Sequence, residues 1–356
     1  MNAIRTLAVT SLLVSACGGV VGDPSPEPTE PLVSRPVPPV EGNAPPKTGP
    51  ETVAENVGTP SALALDGDLA VFTTRTVVLD GNRVEAGGLF VRNKKVGPAL
   101  MIAVDRRGAA YGTLATDGTH AFVATSDARI VSTALAGGDE TLVAELTSPV
   151  TTLVTAGANV IFAQEDGVVA RVAKKGGTVE TLGTIAGDVR GIVADDKGLF
   201  VATAAKDEGA ASIVRIDLAS LEQKTITAPT GAPCAMVKDG ERLFWTTVKG
   251  TEGAVEKVST DGQNAGTIAS GAFAACAIAT DASDLFFATT TPSAMPVRTS
   301  GATKPGLGLM RAPIVGGTPT AIPGATNALP QPGAVAVDAQ HIYWLTQTAV
   351  LRLSKR

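Results

Sequence analysis

Seven times between Leu63 and Thr346 the chain repeats a twelve-residue unit that aligns with its other copies without a gap. The copies read LALDGDLAVFTT from Leu63, LATDGTHAFVAT from Leu114, LVTAGANVIFAQ from Leu153, IVADDKGLFVAT from Ile192, MVKDGERLFWTT from Met236, IATDASDLFFAT from Ile278 and VAVDAQHIYWLT from Val335. Self-similarity at a period of tens of residues is the signature of a repeat architecture, so it limits the fold before any single residue is weighed. The fourth position of each unit, a turn, holds Asp66, Asp117, Ala156, Asp195, Asp239, Asp281 and Asp338. Two of the intervals between turns are long, and each contains an insertion, around 76–86 and around 292–306.

Each unit is an apolar strand, a tight turn and a second strand. Three residues before the turn stands a large apolar side chain, such as Leu63, Leu153 or Met236, placed to pack between neighbouring sheets. The second strand sets two large residues side by side: Val71-Phe72, Phe122-Val123, Ile161-Phe162, Phe200-Val201, Phe244-Trp245, Phe286-Phe287 and Tyr343-Trp344. Neighbours along a strand point to opposite faces, so both faces of this sheet must be covered. A small sheet held between two others has that requirement, and a propeller blade is such a sheet. Third and fourth strands follow, for example 168–172 and 178–184, joined through Lys175-Gly176-Gly177. Gly137-Gly138, Asp261-Gly262 and Gly316-Gly317 occupy the same place elsewhere and suit hairpin turns.

The last unit runs out after a third strand at 350–353, whereas residues 51–55, before the first unit, match the fourth strands of other units. The expected fold is therefore all-β: a seven-bladed β-propeller of four-stranded antiparallel blades, closed by the N-terminal strand. At 356 residues the chain is long enough for two average domains, but β-propellers of this size form one.

The strands Leu243-Phe244-Trp245-Thr246 and Ile342-Tyr343-Trp344-Leu345-Thr346 resemble those of the YWTD and NHL propeller superfamilies and of bacterial lipoproteins built from similar repeats. The resemblance covers roughly residues 51–356. It implies the fold and a tendency to bind proteins or surface polymers. An eight-bladed lipoprotein that assists outer-membrane barrel assembly is similar in general architecture, but this chain lacks its tryptophan-docking repeats.

The first residues speak to the compartment. Arg5 forms a short positive region, and the apolar run 7–14, interrupted by Thr10 and Ser11, is too short to span a bilayer as a helix. Val14-Ser15-Ala16-Cys17 resembles a lipobox, which implies a signal peptide at 1–16 and acylation of Cys17; an ordinary secretory signal with an incidental cysteine is the competing reading. Several acyl chains would anchor the chain firmly to a membrane. Gly18 and Gly19 stand where an inner-membrane retention signal would usually place Asp, pointing to the outer membrane of a bacterial cell envelope. Residues 17–50 carry ten prolines and suit a lipidated, extended spacer. With Cys17 set aside, Cys234 and Cys276 remain; an oxidising compartment permits a disulfide between them, with two buried thiols as the alternative.

Candidate chemistry is sparse. The net charge of −5 and the lack of a basic stripe argue against nucleic acid. His120 and His341 fall at equivalent turns of different units, which suits solvated turn residues better than a shared metal site. Asp66-Gly67-Asp68 and Asp195-Asp196 pair acids, but no calcium-loop pattern is present, and an Asp that bonds the backbone two residues on explains the recurrence. No Gly-x-Ser-x-Gly elbow occurs. The residues thus nominate no catalytic, metal-binding or cofactor-binding set. The expected function is a non-enzymatic binding or scaffold module for a protein or polysaccharide. An envelope hydrolase or lyase with acids at the propeller channel, and a passive envelope component, are the alternatives. Loops on a rigid scaffold commonly carry recognition, which draws attention to the two insertions.

Overall fold

The structure, a computed structural model, describes residues 49–206, 210–250, 252–271, 273–290, 308–325 and 335–355. Among these, every regular element is a strand, and seven four-stranded antiparallel sheets account for all but one small hairpin. The blades span 60–104, 111–145, 150–184, 188–227, 232–271 and 274–321; the seventh combines 335–354 with Glu51–Glu55. In blades 1 to 6 the strands follow one another outward from the innermost to the outer edge. Blade 7 takes its outer strand from the other end of the chain: Glu51 pairs with Arg352 and Glu55 with Ala349. The Arg352 guanidinium locks this closure on the Glu51 carboxylate at 2.7 Å. Pairing the two ends of the chain in one blade leaves the ring without an open edge strand between its first and last units.

The paired large residues explain why the blades assemble. Phe200 packs toward blade 5 with Met236 and Trp245, while the adjacent Val201 packs toward blade 3 with Ile161 and Leu182. The same division recurs around the ring. Phe244 meets blade 6, Trp344 meets blade 6 from the other side, and Phe122 meets blade 3. Seven clusters of buried side chains result, one at each junction between blades. Trp245, Trp344, Tyr343 and Phe286 are all at or below 2% exposure. Removing a ring of this size from such a cluster costs about 3–5 kcal/mol.

One face of the ring carries the turns between first and second strands and between third and fourth; the opposite face carries the turns between second and third. The insertion at 76–86 leaves the second strand of blade 1 and returns on its third, which places it on that opposite face. It contains a hairpin, Val77–Leu79 with Asn82–Val84, pinned by the buried Val77. The insertion at 292–306, Cys17 and the proline-rich segment before Gly49 lie outside the described residues.

Candidate functional site

The seven innermost strands surround an axial channel of about 560 Å³. Its wall takes residues from every blade, among them Leu65, Ala115, Val154, Val193, Val237, Ala279 and Val337. The charged residue in this wall is Lys238, whose ammonium is drawn to Asp195 at 3.1 Å. Glycoside chemistry needs two carboxyl groups facing each other across the substrate. Among the described residues, the channel wall presents none. No three His, Cys, Asp or Glu side chains among the described residues converge as metal ligands would.

Four of the six turn aspartates are engaged at both carboxylate oxygens by the next blade's lysine and their own turn. Oδ1 of Asp117 accepts from the N–H groups of Thr119 and His120, that of Asp195 from Lys197 and Gly198, that of Asp281 from Ser283 and Asp284, and that of Asp338 from Gln340 and His341. Oδ2 then faces a lysine of the next blade: Lys174 at 2.9 Å from Asp117, Lys238 from Asp195, Lys355 from Asp281, and Lys94 at 3.4 Å from Asp338. Burial pushes these carboxyls up, but the N–H donors and lysines outweigh it and hold all four below the usual carboxylate range. Lys94, Lys174 and Lys355 each directly follow a third strand and also sit over the aromatic ring of the preceding blade, Tyr343, Phe122 and Phe286. The sequence reading missed this latch, although a lysine at one repeat position in three blades was its visible sign.

The histidines stay apart, His120 on blade 2 and His341 on blade 7, with blade 1 between them. His120 Nδ1 lies 2.9 Å from Thr119 Oγ1. Burial, with the nearby Arg352, pushes the His341 imidazole below its ordinary value.

A second repeated feature also escaped the sequence reading. On the third strand, opposite the first large residue of the second, stand Arg171, Arg215, Lys257, Arg311 and Arg352 in blades 3 to 7. Most of the arginines have a carboxylate in place. Arg171 grips Glu180 with two bonds of 2.8 and 2.9 Å, Arg311 meets Asp284 at 2.6 Å, and Arg352 meets Glu51. The arginines on this row are therefore built to hold carboxylates.

The chain resembles the β-propeller domain of Cps50 (Swd1) from Myceliophteria thermophila, at 11% identity and a TM-score of 0.63, over 86% of this chain and 100% of that one. It resembles a chain of the Mitotic Checkpoint Complex at 12% identity and a TM-score of 0.63, over 89% and 97%. It also resembles YCF48 bound to D1 peptide at 10% identity and a TM-score of 0.60, over 86% and 95%. The chain is a seven-bladed β-propeller. At such identities the likeness is one of fold, and no family model and no curated protein matches the sequence.

In this propeller Cys234 and Cys276 are joined by a disulfide, with Cα atoms 4.8 Å apart. Both sit where the pairing of an innermost strand slips by one residue, between Pro233 and Ala235 and between Ala275 and Ala277. A bulge re-aims its extra residue out of the ladder. Two bulges on adjacent blades thus bring the thiols together, and Ser61, Thr151 and Arg190 occupy the same bulge in other blades.

Proposed function

We propose that this chain is a non-enzymatic binding module of the bacterial cell envelope, tethered through lipid on Cys17 and carrying a propeller that engages a protein partner. The lipobox-like Val14-Ser15-Ala16-Cys17 and the proline-rich spacer support the address, with the outer membrane favoured by Gly18 and Gly19. The observation that supports the binding role is a channel wall that, among the described residues, is apolar and without carboxylates, combined with four turn aspartates committed to backbone and lysine. Acids held in this way support a binding role over a hydrolase or lyase built on the channel. Among propellers of the same fold, YCF48 is bound to D1 peptide and another belongs to the Mitotic Checkpoint Complex, which fits a protein partner.

Crosslinking on intact cells tests the role: a discrete partner is expected for the wild-type chain, and no specific product would leave a passive envelope component. Metabolic lipid labelling tests the address. C17S should lose the label, and a variant that stays labelled would overturn the lipoprotein reading.

A further inference from the structure

Blade 4 departs from the arginine–carboxylate pairing that holds in blades 3, 6 and 7. In blade 6 the counter-charge comes from Asp284 on the second strand; the same register position in blade 4 is Gly198. In blades 3 and 7 it comes from Glu180 and Glu51 on the outer strand; the same position in blade 4 is Lys224. One source of negative charge is absent and the other is reversed. Gly198 also lets the guanidinium lie down on the strand, since a Cβ there would stand 3.1 Å from Arg215 Nε. The remaining acid, Asp217, is 3.8 Å away, and its Oδ1 is occupied by the N–H groups of Ala219 and Ser220 and the Ser220 hydroxyl. Arg215 Nε is buried with no hydrogen-bond partner. The side chain as a whole is 36% exposed, so a ligand meets the guanidinium beyond the covered Nε, where its nearest carboxylate, Asp217, stands off at 3.8 Å.

Arg215 stands where two clefts meet. One, of about 540 Å³, opens between blades 3 and 4. The other, of about 430 Å³, opens between blades 4 and 5. The turn at Asp195, Asp196 and Lys197 lines both, and Lys197 is exposed and makes no ion pair among the described residues.

We propose that these clefts form a docking surface for an extended protein segment bearing a carboxylate side chain, anchored on Arg215. The planar guanidinium presents paired donors that match a carboxylate. Asp196 and Glu241 in the same walls would repel a uniformly anionic polymer, whereas a peptide with one acid among neutral or basic residues meets both signs of charge. The aromatic ring in the walls, Phe200, is 2% exposed and offers no face for a sugar to stack on.

The inference rests on the binding-module reading and can fail separately from it. The probe is an array of immobilised twelve-residue peptides of random sequence, read with the full chain, R215A and K224E, with R311A as control. K224E places an acid where blades 3 and 7 have one, so it should satisfy Arg215 internally, keep or raise the melting temperature and still abolish peptide capture. Wild type is expected to select peptides enriched in Asp or Glu, with binding weakened about tenfold or more in R215A and K224E and unchanged in R311A. If R215A fails to fold, K224E decides. Equal binding by wild type and K224E, no enrichment in acids, no binding at all, or Arg215-dependent binding of polygalacturonate without peptide binding would each overturn the site. Crosslinked capture on cells that persists in R215A and K224E would remove the site while leaving the module.

Discussion

Lys174 Nζ lies 2.9 Å from Asp117 Oδ2 and 6.0 Å from the centre of the Phe122 ring, so one ammonium on blade 3 fastens the turn and the core aromatic of blade 2. Lys355 does the same between blades 7 and 6, and Lys94 between blades 1 and 7. Each of these latches ties an aromatic ring of an apolar cluster to the turn that precedes its strand. The ion pair and the cation–π contact therefore act together at a junction between blades.

K174A should lower stability by about 1 kcal/mol, more than a surface ion pair normally contributes, because the lysine is largely covered and serves two partners. Denaturant melts of K174A, D117A and the double variant check this. The two substitutions should be less than additive, and strict additivity would show that the latch carries no coupling.

The latches also give the ring a dependence on acid. Burial raises the Asp281 carboxyl, but Lys355 and the N–H groups of Ser283 and Asp284 hold it down at about 2. An unfolded Asp titrates near ~3.9. Its contribution is thus fully present above about pH 4 and disappears as the pH falls toward about 2. Melting temperatures across this window should fall less steeply for D281N than for wild type.

Arg129 is a different case. It is 3% exposed and holds the fully buried Asp105 at 2.6 Å, Asp127 at 2.8 Å and Glu140 at 3.7 Å, where blade 1 passes into blade 2. Asp105 in turn accepts from the N–H groups of Arg107 and Ala109. R129A strands a buried carboxylate, so a loss of about 3–5 kcal/mol is expected in a thermal or urea melt. Near-neutral stability would show that Asp105 finds another partner.

Reduction of the bridge between Cys234 and Cys276 should weaken the ring without abolishing it. The cysteines are 42 residues apart, and a crosslink of that span is worth about 4 kcal/mol in the chain-entropy model. Phe244, Phe273 and Phe287 still pack blade 5 on blade 6 when the bridge is gone. Comparison of melts for wild type, with and without dithiothreitol, and for C234S/C276S should show lower midpoints with native strand content retained.

The blade count, the closing strand at Glu51–Glu55 and the two-sided burial of Phe244-Trp245 or Tyr343-Trp344 were legible in the sequence, because every blade solves the same packing problem and writes the same apolar pattern. The turn role of Asp117 and Asp338 was legible too, since the bonds concerned run to residues two and three positions on. Of what joins one blade to the next, the sequence offered the Cys234–Cys276 bridge, with two free thiols as the alternative, but not the polar contacts. That Lys174 reaches Asp117, and that Arg215 has Lys224 where Arg171 and Arg352 have an acid, depend on side chains brought together by strand register and by the stacking of blades. Apolar burial leaves a periodic trace because it repeats along the chain. A charge pair leaves a fainter one, such as the recurring Lys94, Lys174 and Lys355, because its energy depends on a distance between blades that only the folded structure sets.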